Sequence, residues 1–194
     1  KTAECAVTVS KKIIAVAGVS LDKTTADMIV GQTQQLTATV TPDDASDKSV
    51  TWSSSNDNIA SVDATGKVTA VAGGAATITA KTNGLDESGQ SKMATCDVTV
   101  TQPVSGVSLD KTTLTLTEGE TATLTATVSP DDASDKTVTW SSSDAKVATV
   151  ENGKVTAIAA GSAKITVTTS DGAKTAECAV TVNKNSVVVT GISL

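Results

Sequence analysis

The chain's thiols recur at one phase of its sequence, as Cys5, Cys96 and Cys178. The segment around the first, Lys1-Thr2-Ala3-Glu4-Cys5-Ala6-Val7-Thr8-Val9, returns letter for letter from Lys174 to Val182. A catalytic thiolate needs a base beside it, and the chain contains no histidine. Alternation puts Ala176, Cys178, Val180 and Val182 on one face of a strand, so each thiol is expected to point inward as a small apolar core residue. Cross-linking between chains is the alternative, because one cysteine per repeat leaves no pairing within a domain.

Carboxylates form the second candidate chemistry. Asp43, Asp44 and Asp47 return as Asp131, Asp132 and Asp135, and hard cations seek several carboxylate and carbonyl oxygens converging in one loop. These six are the calcium candidates. They lack the Asp-x-Asp-x-Asp-Gly spacing and distal Glu of a dedicated calcium loop, and a plain polar turn is the competing reading. No cofactor is indicated. A third candidate is the segment from Thr82 to Lys92, longer than its counterpart in the second half. It is expected to be a mobile surface excursion that could serve as a contact loop.

The elements that must carry these residues follow from repetition. Gly18-Val19-Ser20-Leu21-Asp22-Lys23-Thr24-Thr25 returns at 106–113, and Gly191-Ile192-Ser193-Leu194 begins it again. Such a period is that of a whole small domain rather than a solenoid turn of roughly 20–50 residues. The expected organisation is 1–15 as the last strand of a preceding repeat plus linker, 16–103 and 104–186 as complete repeats, and 187–194 as the first strand of a following one. The chain is therefore expected to be a window on a longer protein.

Composition narrows the partners. With a formal charge of −6 and no Phe or Tyr, the chain lacks the basic, aromatic face that nucleic acid requires. No apolar run approaches the roughly 18 residues of a membrane helix, so no membrane insertion is expected.

Thr, Val, Ala and Ser dominate, a bias that favours short strands. In the second repeat Ala122, Leu124, Ala126 and Val128 alternate with threonines, predicting one half-buried strand over 121–128. Val138 and Trp140 lie on an inner face, and Asn152-Gly153 between two apolar runs signals a tight hairpin turn. In the first repeat Trp52 and Gly66 take the equivalent places. About seven or eight strands, with turn signals at regular spacing, predict an all-β fold: tandem immunoglobulin-like antiparallel β-sandwiches.

Val50-Thr51-Trp52-Ser53 and Val138-Thr139-Trp140-Ser141, then Ile59-Ala60-Ser61-Val62 or Val147-Ala148-Thr149-Val150, then Gly-Lys-Val-Thr-Ala at 66–70 and 153–157, closely resemble the bacterial immunoglobulin-like domain, group 2. The likeness covers both repeats. It implies stalk modules of bacterial surface proteins such as intimin and invasin, accessory domains of secreted enzymes, or phage virion proteins, and hence an extracellular or particle setting. The matching motif is a folding motif. Trp52 and Trp140 match a core position and Gly66 and Gly153 a turn, so no catalytic residue transfers.

The resemblance and the residues together predict a non-enzymatic spacer of an adhesin-like protein, with virion decoration or an enzyme's accessory module as alternatives. Its partners would be neighbouring repeats of the same or adjacent chains, while any host protein or glycan would be met through other parts of the parent. Thr101-Gln102-Pro103-Val104 leaves almost no slack between the repeats, so the junction is expected to be stiff and the array a rod gaining about 40 Å per domain. Residues 1–9 and 187–194, read as lone strands, could instead pair between chains.

Overall fold

The computed structural model describes residues 3–9 and 12–186. Two compact units emerge, Lys1–Thr101 and Gln102–Leu194, so the division falls just ahead of the expected 103/104 boundary. The strand expected over 187–194 lies outside the described residues.

In the first unit the described residues form β1 (Gly18–Leu21), β2 (Thr25–Ile29), β3 (Thr33–Gln35), β4 (Ala38–Thr41), β5 (Val50–Ser54), β6 (Ala60–Val62), β7 (Lys67–Ala70), β8 (Gly74–Leu85) and β9 (Ser91–Thr101). The second repeats the plan as β10 (Gly106–Leu109), β11 (Thr113–Thr117), β12 (Thr121–Thr123), β13 (Ala126–Ser129), β14 (Val138–Ser142), β15 (Ala148–Glu151), β16 (Lys154–Ala157), β17 (Gly161–Thr169) and β18 (Thr175–Asn183). No described residue is helical. In each unit a four-stranded sheet, ordered β2-β9-β8-β5 or β11-β18-β17-β14, covers a three-stranded one, β3-β7-β6 or β12-β16-β15.

Alternation supplies the filling of each sandwich. Ile78, Cys96, Val98 and Val100 come from one sheet and Ala60, Val68 and Ala70 from the other. In the second unit Ile165, Cys178, Val180 and Val182 meet Ala148, Val155 and Ala157. A satellite cluster, Val16, Val40 and Ala45 or Val104, Val128 and Ala133, sits apart from each main core.

Two features depart from a plain antiparallel reading. The strand expected over 121–128 is divided: β12 pairs with β16, whereas β13 pairs with β10 in a separate two-stranded sheet. The break at Leu124-Thr125 is fastened from two sides. Leu124 N donates to Gly153 O at 2.9 Å, and Thr125 N donates to the Asp110 carboxylate at 2.7 Å. Asp22 and Thr37 do the same in the first unit at 2.7 Å.

The first strand divides at the same aspartate, and β11 runs parallel to β18, as β2 does to β9. The repeated Leu-Asp-Lys-Thr-Thr is thus the point at which the chain leaves one sheet for the other. Inward alternation survives the switch because the half-buried or buried residues remain Ala122, Leu124, Ala126 and Val128.

Candidate functional site

The six calcium candidates make turns. Asp47 Oδ1 accepts from Ser49 N at 2.9 Å and from its hydroxyl at 2.6 Å, and Asp135 repeats this with Thr137 at 2.9 and 2.6 Å. These hydrogen bonds, the side-chain one foremost, hold both carboxyls below the usual range. Asp43 offers its backbone carbonyl to Lys48 Nζ at 2.8 Å. Among the described residues no group of three or more His, Cys, Asp or Glu could hold a metal ion. Asp43, Asp44 and Asp47, like Asp131, Asp132 and Asp135, form no such group in this structure.

The thiols fall into two environments. Cys96 and Cys178 are fully buried, opposite Ile78 and Ile165 in the ladder. Burial is the main cause that pushes both up, away from the thiolate that chemistry would need. Cys5 corrects the inward expectation: it is exposed. Its copy Cys178 lies in β18 between β11 and β17, but residues 3–9 form no strand and have no such neighbours, so the same letters bury nothing.

Trp52 and Trp140 are half-buried at the margins of the main cores rather than at their centres. Each rests against the hairpin glycine. A Cβ on Gly66 would stand 2.7 Å from the Trp52 ring and 2.7 Å from Leu36 O, and one on Gly153 would stand 2.5 Å from Leu124 O. Asn152 and Gly153 have φ of 49° and 82°, the pair of positive angles that an Asn-Gly turn between twisted strands uses.

The long segment of the first repeat is built, not slack. β8 continues to Leu85 and β9 starts at Ser91, with a register shift between Lys81 and Leu85. Thr82 clamps its base: the hydroxyl donates to Gly84 O at 2.8 Å and accepts from Lys92 N at 2.9 Å. Thr169 makes the same pair with Asp171 O and Lys174 N at 2.6 and 2.9 Å, so one clamp closes both the long and the short hairpin.

At the tip of the long hairpin, Asp86 Oδ1 accepts from Ser88 N, Ser88 Oγ and Gln90 N at 2.9, 2.7 and 2.8 Å, while Oδ2 lies 2.6 Å from Lys92 Nζ. Lys92 first, then Ser88 and Gln90, pull its carboxyl far below the carboxylate range. Beside the hairpin lies an open groove of about 710 Å³ lined by Ile13, Ile14, Pro42, Asp86 and Glu87 among others.

A feature that the sequence did not single out lies where the chain leads into each repeat. Ile14 N donates to Ser46 Oγ at 2.9 Å while Ser46 N donates to Ile14 O at 3.0 Å. Gln102 and Ser134 make the same two-way exchange at 2.8 and 2.9 Å. Two residues on, Val16 and Val104 are 2% and 5% exposed and anchor the satellite clusters. The signal available in the sequence was the serine of the repeated Asp-Asp-Ala-Ser-Asp-Lys, which looked like one more turn residue.

The family described as bacterial Ig-like domain (group 2) matches residues 15–92 and 103–180. A protein of Clostridium acetobutylicum is 42% identical over 79% of this chain and 16% of its own length. A lacto-N-biosidase of Bifidobacterium bifidum is 55% identical over 44% of this chain and 8% of its own. An Ig-like virion protein of Serratia phage KSP90 is 38% identical over 88% of this chain and 66% of its own.

The chain thus spans only a small part of the first two relatives. Among solved structures, extracellular cadherin domains 3–6 of protocadherin gamma B2 align over 88% of this chain and 52% of that one, at 14% identity and a TM-score of 0.52, a likeness of fold alone. Matched twice, over most of its length and on the two sandwiches described above, the chain belongs to the group 2 bacterial Ig-like domain family.

Proposed function

We propose that the two repeats act as a non-enzymatic structural spacer in an extracellular or virion protein, projecting or tethering a function carried elsewhere on the parent. The observation that carries this reading is that the repeated polar residues serve the fold. The aspartates close turns, the serines hold the lead-in segments, and Cys96 and Cys178 are core. Relatives named as virion protein, minor capsid protein and glycosidases, each matched over a portion of its length, support a module that travels between parents. Its direct partners are then neighbouring Ig-like repeats of the same or adjacent chains.

The test is an exchange in the parent protein: both repeats replaced by an unrelated pair of Ig-like domains of equal length. A spacer predicts retained function with the exchange and impaired function when one repeat is simply removed. Loss of function on equal-length exchange would mean that these surfaces themselves recognise something.

The virion setting is the second reading, favoured by the alignment over 88% of this chain with the Serratia phage protein. Peptides of the chain recovered from purified particles would establish it, and their presence only in a cell-surface fraction would exclude it.

A further inference from the structure

We propose that the slot filled by β18 in the second repeat also accepts residues 1–9 of another copy of this chain, in place of β18, so that copies join by strand exchange. This specifies the adjacent-chain partner of the spacer reading and rests on that reading for its biological meaning.

The slot is defined on both sides. β18 runs parallel to β11, with Ala179 opposite Thr113 and Val180 opposite Leu114, and antiparallel to β17, with Cys178 opposite Ile165. Inward it sends Cys178, Val180 and Val182, all buried, and outward Glu177, whose carboxylate lies 3.1 Å from Lys164 Nζ. Residues 1–9 carry the same nine letters as 174–182, so Cys5, Val7 and Val9 correspond to Cys178, Val180 and Val182, and Glu4 to Glu177. Residues 3–9 nevertheless join no strand, and Val7 and Val9 are 79% and 87% exposed against 1% and 3% for Val180 and Val182. Burying those valines and pairing the backbone on both sides are the gains that strand addition draws on.

The outward residues select the slot. β9, which closes the first repeat, shares the inward series as Ala94, Cys96, Val98 and Val100, but has Thr95 and Asp97 where β18 has Glu177 and Ala179. Asp97 accepts from Thr77 Oγ1 at 2.9 Å, a bond that Ala6 would forfeit, and Glu4 would stand opposite Thr79 in the first repeat but beside Lys164 in the second. The segment therefore matches the second repeat better than the first. Donor and acceptor are different surfaces, so the contact is heterologous, the kind that builds chains or rings.

β18 lies between two neighbours in its sheet, so exchange requires the second repeat to open. Its own strand then competes at an effective concentration on the order of millimolar, set by the connecting chain. Exchange is thus rare in the natural chain and frequent once β18 is disabled.

The test uses the whole chain with Val180→Pro, which removes a ladder donor from a strand paired on both sides, in a Trp52→Phe background so that Trp140 alone reports, under reducing conditions. Sedimentation velocity is expected to show association that grows with concentration, with the native Trp140 spectrum returning in step. Adding Val7→Pro, at an exposed residue outside any strand, should abolish both. A synthetic peptide of residues 1–9, which contains no tryptophan, should restore the Trp140 spectrum saturably, and the same peptide with proline at position 7 should not. No recovery with concentration or peptide, or recovery and association that persist with Val7→Pro, would overturn the proposal. None of these results bears on the parent-level exchange, so failure here and failure of the spacer reading are told apart.

Discussion

At the scale of single residues, space rather than backbone angle separates the glycines of this fold. Gly119 and Gly153 share φ near 90° and 82°, yet a Cβ on Gly119 meets nothing within 4 Å while one on Gly153 meets Leu124 O at 2.5 Å. Gly119→Ala should cost about 1 kcal/mol of left-handed strain. Gly153→Ala should cost about 3 kcal/mol or more, because a backbone carbonyl must also move. Urea midpoints at unchanged m-value read the difference, and equal losses would refute the steric account. The thiols give a second prediction: in the native chain a thiol reagent should modify Cys5 rapidly and reach Cys96 and Cys178 only on unfolding. The turn at Asn152-Gly153 was legible because its chemistry is local, but Cys5 and Cys178 sit in identical nine-residue segments, and only neighbouring strands distinguish them.

At the scale of elements, carboxylates hold the turns together, and their titration should be visible. Asp47, Asp63, Asp86, Asp110 and Asp135 are all shifted below the ordinary 3.8, chiefly by the hydroxyls and lysines they accept from. A carboxyl whose folded value is depressed stabilises the fold above the unfolded value, and that contribution is lost as pH falls through the folded one. The melting temperature should therefore be level above about pH 5 and fall progressively below about pH 4. Asp86→Asn should shrink that acid-side fall in the first repeat, and an unaltered acid limb would count against the hairpin-tip hydrogen bonds. Millimolar calcium should leave the melting temperature unchanged, since Asp47 and Asp135 are committed to their turns and no acidic cage forms among the described residues. A rise on calcium addition would restore the metal reading. The inward alternation of 121–128 was readable from its threonines, whereas its division between two sheets was not, because Gly153 O and the Asp110 carboxylate that grip the break come from distant sequence.

At the scale of the whole molecule, each unit carries one tryptophan, so the units can be followed separately. Ser134→Ala removes the acceptor of Gln102 N and should lower the stability of the second unit by about 0.5–1.5 kcal/mol, the net worth of a hydrogen bond. The loss should appear in the transition followed at Trp140 in a Trp52→Phe background and be absent from that followed at Trp52 in a Trp140→Phe background. A loss shared by both units, or none, would mean that the serine does not fasten the second repeat's lead-in.

The amino-acid sequence by itself determined the repeat, the sandwich, the buried faces of the strands and the tight turns, because a period of two and an Asn-Gly pair are written in adjacent residues. Only the tertiary structure decided which strand joins which sheet, that the long segment of the first repeat is a clamped hairpin, and that a turn serine fastens each lead-in. Each of these depends on hydrogen bonds between residues far apart in the chain, such as Thr125 to Asp110 and Gln102 to Ser134, and no local pattern encodes which distant group will arrive.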